Sequence, residues 1–188
     1  MRTWIGVLAV ALSALSARGP AGEPAKNPVV VVKTSLGEFE VELYQDKSPI
    51  TVKNFLAYVE DKYYDGTIFH RVMDDFMIQG GGFTKDGQKK ETKAPIKNES
   101  GNGVKNVNYA IAMARTDDLN SATSQFYINV KDNDFLDDNK YCAFGMVIKG
   151  REVIDKIKGV KVNKPGQLSA AQPVEPVVIE SARVKAAK

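Results

Sequence analysis

The 188-residue sequence contains one cysteine and one histidine. Cys142 has no second thiol with which to form an intramolecular disulfide, and its neighbours in YCAFG predict a small hydrophobic core residue. His70 is the only imidazole, so a multi-histidine metal site is excluded, and we expect neither a metal nor a cofactor. The acidic stretch DNDFLDDN lacks the glycine and the glutamate that a calcium-binding loop requires.

The chain also lacks a strong excess of either charge. It carries 26 Lys and Arg residues against 23 Asp and Glu residues, a formal net charge of +3. These charges are interspersed, and the most basic stretch, KDGQKKETK, has the composition of a solvated surface loop. Nucleic acid and anionic membranes are therefore not expected as partners.

A membrane-spanning helix needs about 20 apolar residues, and the N-terminal apolar run is shorter than that. This run, TWIGVLAVALSALSA, follows a basic start and is followed by small residues. Such a pattern is typical of a secretory signal peptide. We predict a signal peptide at residues 1–21, a short linker at 22–27 and one domain at 28–188, with the mature protein periplasmic or secreted. A retained membrane anchor is the alternative.

The mature sequence has clear strand and helix periodicities. PVVVVKTSLGEFEVELY alternates and predicts a β-hairpin that turns at residues 35–37. Ser48 is a suitable N-cap and Pro49 suits the first position of a helix. That helix has an apolar stripe at Val52, Phe55, Leu56 and Val59. A second short helix is predicted in REVIDKIKG, with Val153, Ile154 and Ile157 facing inward.

Several short strands separate the two helices, with Gly-, Asn- and Asp-rich turns between them. They are TIFHRVM, FMIQGG, YAIAMAR, SQFYINV and CAFGMVI, and a last strand is predicted in PVVIESARV. Many strands joined by short links favour an antiparallel sheet, most economically closed into a barrel. We therefore expect a mainly β fold in which two helices cap a barrel.

The stretch TIFHRVM places the histidine beside an arginine. In a regular strand Phe69 and Arg71 share one face, while Ile68, His70 and Val72 share the other. His70 and Arg71 are therefore predicted not to face the same cleft. We expect His70 to be a partly buried structural residue.

The stretch FHRVMDDFMIQGG, followed by AMAR, NSATSQFYINV and FLDDNKYCAFGMVIKGREVIDKI, resembles the cyclophilin-type peptidyl-prolyl cis-trans isomerases, particularly their bacterial secreted members. The resemblance covers residues 28–185. It implies a closed eight-stranded antiparallel β-barrel capped by two α-helices. It also implies isomerase activity on proline-containing polypeptides, without a cofactor.

The resemblance assigns site residues as well. It implies that Arg71 is the catalytic arginine and that Gln79 holds it in register with the substrate. The substrate-binding residues that it implies are Phe76, Met77, Ala114, Arg115, Gln125, Tyr127, Phe135, Leu136 and Tyr141.

Four of these positions depart from patterns in the family. Tyr127 stands where phenylalanine is usual, and Arg115 where many members have asparagine. Phe135 stands where some eukaryotic members have tryptophan, and Tyr141 where those members have histidine. The indole N–H of that tryptophan contacts the cyclic peptide cyclosporin, and phenylalanine has no such donor. We therefore expect cyclosporin to bind weakly.

Prolyl isomerisation needs neither a nucleophile nor a base. The barrier of about 18–20 kcal/mol arises from lost amide resonance, and no covalent bond changes. A fixed guanidinium can donate to the proline nitrogen only when twisting restores its lone pair, so it binds the transition state preferentially. One charge-assisted hydrogen bond contributes about 1.5–3 kcal/mol, or roughly ten- to a hundredfold in rate. An apolar pocket must supply the rest.

Two other functions remain open from the sequence. A domain of the same fold could bind proline-containing or unfolded segments without turnover. A hydrolase could use His70 with Asp74 or Asp75, although no nucleophile elbow is present. We expect a monomer, because no heptad pattern or long apolar edge is evident.

Overall fold

A computed structural model describes residues 27–163 and 171–186. The signal peptide predicted at residues 1–21 and almost all of the linker predicted at 22–27 lie outside the described residues. None of the helices in the two described ranges combines the length and the apolarity needed to cross a membrane.

One antiparallel sheet organises the described part of the chain. Its strands are β1 (Val29–Thr34), β2 (Gly37–Leu43), β3 (Thr67–Met73), β4 (Met77–Thr84), β5 (Ala110–Met113), β6 (Phe126–Asn129), β7 (Ala143–Lys149) and β8 (Ile179–Val184). Their order across the sheet is β3-β4-β6-β5-β7-β2-β1-β8. The predicted hairpin is confirmed: β1 and β2 pair with Thr34 opposite Gly37.

The sheet curls until its two end strands, β3 and β8, approach each other. An isolated bridge joins Ile68 to Val178, and the Phe69 amide donates to the Val177 carbonyl at 3.0 Å. These contacts lie at the start of β3 and do not extend into a ladder along the described strands. The mainly β, eight-stranded prediction is confirmed, but the barrel is nearly closed rather than fully closed.

Three helices occur in the described residues, α1 (Pro49–Glu60), α2 (Asp134–Asp138) and α3 (Arg151–Lys158). The two predicted helices correspond to α1 and α3. The prediction of two helices missed α2, because its five residues are too few to show a helical period and their composition is that of a polar loop.

The apolar stripes of the two predicted helices are largely as expected. Helix α3 buries Val153, Ile154 and Ile157. Helix α1 buries Val52, Phe55 and Val59 of the predicted stripe together with Thr51 and Tyr58, while Leu56 is half-buried. Inside the barrel the Phe55 ring meets Phe126 edge-on, with centroids 5.6 Å apart, and Phe144 at 5.4 Å. Cys142 is buried, as predicted.

The start of α1 is capped by a residue distant in sequence. Ser48 precedes the helix but makes no side-chain cap, and its hydroxyl instead accepts a hydrogen bond from Asn102. The Glu99 carboxylate accepts from the backbone amides of Ile50 at 3.1 Å and Thr51 at 2.8 Å. This carboxylate satisfies two of the free amides at the positive end of the helix.

Strand β3 does not alternate as predicted. Its register against β4 shifts between Phe69 and Arg71, so β3 contains an extra residue there. Phe69 and Val72 consequently lie in the same core cluster, although a regular strand would place them on opposite faces. His70 and Arg71, which lie between them, both line one surface cavity. The prediction that these two side chains cannot face one cleft is therefore wrong.

Candidate active site

A cavity of about 510 Å³ lies over Met77 and Gln79 of β4 and Tyr127 of β6. It contains all the predicted site residues except Gln125. Its wall consists of Arg71, Phe76, Met77, Gln79, Ala114, Arg115, Asp117, Tyr127, Phe135, Leu136, Asn139 and Tyr141.

The floor of this cavity is a small core cluster separate from the barrel interior. Met77, Tyr127 and Leu136 are each at most 5% exposed, and they pack with Ala112 and Ala143. Sheet pairing fixes the positions of Met77 and Tyr127, because β4 and β6 are neighbours in the antiparallel ladder, while Leu136 comes from α2. The floor is therefore apolar and rigid.

The guanidinium of Arg71 stands at one edge of the cavity. One of its terminal nitrogens donates to Gln79 Oε1 at 3.4 Å, and the other donates to Met73 Sδ at 3.3 Å. Its central carbon lies 5.9 Å from the centroid of the Phe76 ring. In the described part of the chain no carboxylate lies within ion-pair distance of Arg71. A guanidinium has five N–H donors, so several stay free for a ligand.

Gln79 holds Arg71 through a row of side chains that crosses three chain segments. The β3–β4 register sets Arg71 opposite Gln79, and the β4–β6 register sets Gln79 opposite Tyr127. Gln79 Nε2 donates to Gln125 Oε1 at 2.9 Å. Gln125 thus supports the cavity from behind and lines the neighbouring one.

A glycine makes room for that support. A Cβ at Gly82 would lie 2.6 Å from Gln125 Cγ, well inside van der Waals contact. The three glycines that follow Gln79 therefore let the Gln125 side chain lie close over the β4 backbone.

Two aromatic pairs form the sides of the cleft. Phe76 stacks on Phe135 with ring centroids 5.6 Å apart and planes inclined by 27°. Tyr127 meets Tyr141 edge-on at 6.1 Å. Phe135 is 50% exposed, so the cleft is open on its side.

Arg115 at the rim is not a free cation. Its guanidinium donates to the carbonyls of Thr116 at 2.7 Å and Asn139 at 2.5 Å, and lies 4.3 Å from the centroid of the Tyr141 ring. It thereby joins the loop after β5 to the end of α2. Asp117 and Asn139 line the same rim, and the sequence analysis missed both. Asn139 could not be found because α2 itself was not predicted.

The hydroxyl of Tyr127 lies beneath the floor. It donates to Asn106 Oδ1 at 2.8 Å, and burial raises the pKa of the Tyr127 phenol well above its usual value of 10.0. Tyr127 is therefore neutral at physiological pH, and the cavity gains no acid from it. Asn106 is fully buried, and it was not predicted from the sequence because it lies in the polar loop that precedes β5.

His70 is outside this cavity. Its ring packs 4.7 Å from the centroid of Phe83, and its Nδ1 atom has no hydrogen-bond partner. Burial, with a further contribution from the charge of Arg71, lowers the pKa of His70 from 6.5 to about 4. Asp74 and Asp75 are exposed and neither orients the imidazole through Nδ1, so the arrangement does not favour a hydrolytic dyad.

Metal-binding side chains do not converge in the described part of the chain, where no group of three or more His, Cys, Asp or Glu residues could hold an ion. The cavity instead combines a positioned guanidinium with an apolar floor and two aromatic pairs. Such a site can bind an amide and stabilise a change in its charge distribution without breaking a bond.

The chain is similar in sequence to proteins of known family. The sequence profile of the family described as "Cyclophilin type peptidyl-prolyl cis-trans isomerase/CLD" matches residues 29–184. The chain is 55% identical over 164 residues to peptidyl-prolyl cis-trans isomerase cyp18 of Streptomyces antibioticus, covering 82% of this chain and 97% of that protein. It is 48% identical over 163 residues to peptidyl-prolyl cis-trans isomerase B of Escherichia coli, covering 83% of this chain and 99% of that protein.

The fold is also similar to solved structures. A crystal structure of a cyclophilin-type peptidyl-prolyl cis-trans isomerase from Cryptosporidium parvum matches with a TM-score of 0.73 and 25% identity, covering 86% of this chain and 99% of that one. A second structure of that protein, obtained in the presence of the dipeptide Ala-Pro, matches with a TM-score of 0.72 at 25% identity over 85% of this chain and 99% of that one.

We expect His70 to titrate near pH 4 in an NMR measurement, not near its usual 6.5. The unfolded chain then binds more protons than the folded chain between these two pH values, so stability falls as pH decreases through this window. His70→Gln should remove that part of the pH dependence of the melting temperature. An imidazole midpoint close to 6.5 would contradict the burial described above.

Proposed function

Because the chain belongs to the cyclophilin-type peptidyl-prolyl cis-trans isomerases, we propose that Arg71 accelerates rotation about Xaa-Pro bonds by acting on a proline held in the aromatic cleft. The enzyme class follows from the family, and the substrates of the class are proline-containing polypeptides. The observation that carries the mechanism is the position of Arg71, at the edge of a cavity with an apolar floor, where Gln79 fixes its guanidinium.

The proposed mechanism relies on a hydrogen-bond acceptor that appears only during rotation. Twisting removes amide resonance and restores a lone pair on the proline nitrogen. The free N–H groups of Arg71 can donate to that lone pair, whereas the planar amide offers a poor acceptor there. The guanidinium stays protonated at any working pH, so its contribution does not depend on a proton transfer.

The apolar wall supplies a second contribution. The twisted amide is less polar than the planar one, so its transfer from water into an apolar environment costs less free energy. A proline ring between Phe76, Met77 and Tyr127 would exclude water from the bond as it rotates. Low local polarity also strengthens the hydrogen bond from Arg71.

A relative supports this placement of the substrate. The Cryptosporidium isomerase was crystallised in the presence of Ala-Pro, the smallest Xaa-Pro unit. We propose that the cavity of this chain takes the same unit within a longer polypeptide. A binding module without turnover would not require Arg71 and Gln79 to be held in this arrangement, so catalysis is the better-supported function.

We propose that its substrates are exported proteins and that it works as a monomer in the periplasm or outside the cell. The support is the apolar N-terminal run of the sequence, with its basic start and small residues at the end.

Replacing the guanidinium should test the mechanism. Arg71→Ala should lower kcat/KM in a protease-coupled proline-peptide assay by at least roughly ten- to a hundredfold, the value of one charge-assisted hydrogen bond. The melting temperature should change little, because Arg71 forms no ion pair within the described residues.

His70→Gln is the matched control, since it alters the neighbouring residue on the same strand. It should keep kcat/KM within a few fold of the natural protein. Equal losses in the two folded variants would mean that the chemistry is not specific to Arg71.

The exposed side of the cleft should determine inhibitor affinity. Phe135 is stacked on Phe76 and offers no donor, so cyclosporin should bind but weakly. Phe135→Trp should tighten cyclosporin binding by about 0.5–1.5 kcal/mol, the value of one neutral hydrogen bond, with little change in turnover. A titration in which this variant binds no better would assign the weak binding to Arg115 or Tyr141 instead.

Export can be tested on the full-length chain. Protein recovered from a secreting host should begin between Ala17 and Glu23 by N-terminal sequencing, and should remain in solution without detergent. Full-length protein recovered from the membrane fraction would support the anchor alternative.

A further inference from the structure

Behind the aromatic cleft lies a chain of three buried asparagines. Asn106, Asn129 and Asn133 are each at most 1% exposed. Buried amides in an otherwise apolar region are costly unless their donors and acceptors are paired. Their partners lie mainly on the elements that form the cleft.

Asn106 is the hub of this chain. Its Oδ1 accepts from the Tyr127 hydroxyl at 2.8 Å and from Asn129 Nδ2 at 3.2 Å. Its Nδ2 donates to Asp137 Oδ1 at 2.8 Å and to the carbonyl of Tyr141 at 3.2 Å. One amide thus reaches the floor, the α2 helix and one side of the cleft, using both donors and both lone pairs.

The other end of the chain reaches the opposite side. Asn133 Nδ2 donates to Asn129 Oδ1 at 2.8 Å and to the carbonyl of Phe76 at 2.9 Å. The backbone amide of Asn133 donates to the carbonyl of Asn106 at 2.9 Å. The network therefore spans the cleft from Tyr141 to Phe76 without entering it.

We infer that Asn106 is a positioning residue for isomerisation, acting by holding the Tyr127 hydroxyl beneath the floor of the cleft. The inference rests on the proposed function, in which Tyr127 contacts the substrate proline. Asn106 then has a specific role beyond folding. Its Oδ1 accepts the hydrogen bond from the Tyr127 hydroxyl, which this chain carries where the family usually has a phenyl ring.

The need for this acceptor follows from the surroundings of Tyr127. The residue is 4% exposed, so water cannot readily solvate its hydroxyl. A buried hydroxyl without an acceptor is strongly disfavoured, and the ring would then have to shift until the hydroxyl found water or another acceptor. Any such shift would change the floor on which the proline ring lies. The effect on activity of replacing Asn106 should consequently depend on whether residue 127 carries a hydroxyl.

A double-mutant cycle on the complete protein separates positioning from mere structural support. The variants are Asn106→Leu, Tyr127→Phe and the double variant, each measured for kcat/KM on a proline peptide and for melting temperature. Leucine has nearly the size of asparagine but offers no acceptor. Asn106→Leu should lose about ten- to a hundredfold in kcat/KM, because it leaves the hydroxyl unpaired. Adding Tyr127→Phe should restore the part of that loss that the unpaired hydroxyl causes, because a phenyl ring needs no acceptor, while the lost bonds to Asp137 and Tyr141 remain.

Rescue by Tyr127→Phe is the deciding result. If Asn106 had only a structural role, the double variant would have a kcat/KM no higher than that of Asn106→Leu. That outcome, or an Asn106→Leu protein with natural activity, overturns the inference. If Asn106→Leu does not fold, Asn106→Ala replaces it in the cycle, with the same direction of rescue required.

Two further variants complete the design. Tyr109→Phe removes another tyrosine hydroxyl bond, to Asp155 at 3.1 Å, and lies outside the cleft wall. It should change the melting temperature without lowering kcat/KM, and a loss equal to that of Asn106→Leu would overturn the positioning role. Arg71→Ala in the same assay tests the proposed function separately. If Arg71→Ala keeps full activity and Tyr127→Phe does not rescue Asn106→Leu, the cleft is not the reaction site.

Discussion

The site depends on the position of one guanidinium. Arg71 carries a positive charge beside the apolar floor of the cavity and has no ion-pair partner in the described residues, so a mobile arginine there would prefer water. Its location is imposed by the sheet: the bulge in β3 sets it opposite Gln79, and the amide of Gln79 is held in turn by Gln125. Three chain segments are thus needed to fix one side chain, and the donors it leaves free point to catalysis by preorganised electrostatics.

The cavity needs a wall that excludes water as well as a charge, but polar groups lie close to that wall. Aromatic residues exclude water, but Tyr127 and the first residues of α2 bring polar groups into the same region. The structure places those polar groups behind the wall, where Asn106, Asn129 and Asn133 pair them. The side-chain amides of Asn106 and Asn129 are paired within the described residues, whereas Asn133 Oδ1 has no hydrogen-bond partner there. The paired amides hold the wall in one arrangement.

Local sequence patterns predicted most of the scaffold. The alternation of β1 and β2 and the apolar stripes of α1 and α3 depend on neighbouring residues, so their periods are visible in the sequence. The bulge in β3 is not visible, because it depends on pairing with β4. Helix α2 is too short to show a period, and the Glu99 cap of α1 comes from a distant loop.

The residues of the site likewise divide into those that could be predicted from the sequence and those that could not. Arg71, Gln79 and the aromatic wall were predicted from a family resemblance, and the structure brings them together around one cavity. Asn106 was missed, because it meets Tyr127 only in the folded chain.

A pH–rate profile tests the central claim most directly. The proposed mechanism uses a guanidinium and transfers no proton, and burial raises the pKa of Tyr127 and lowers that of His70, so neither of these two groups should change its protonation near neutrality. With an uncharged proline peptide, kcat/KM should be constant from about pH 5 to about pH 9 while the protein remains folded. A bell-shaped profile, or a single ionisation near 6.5, would instead show that a proton transfer takes part in the reaction.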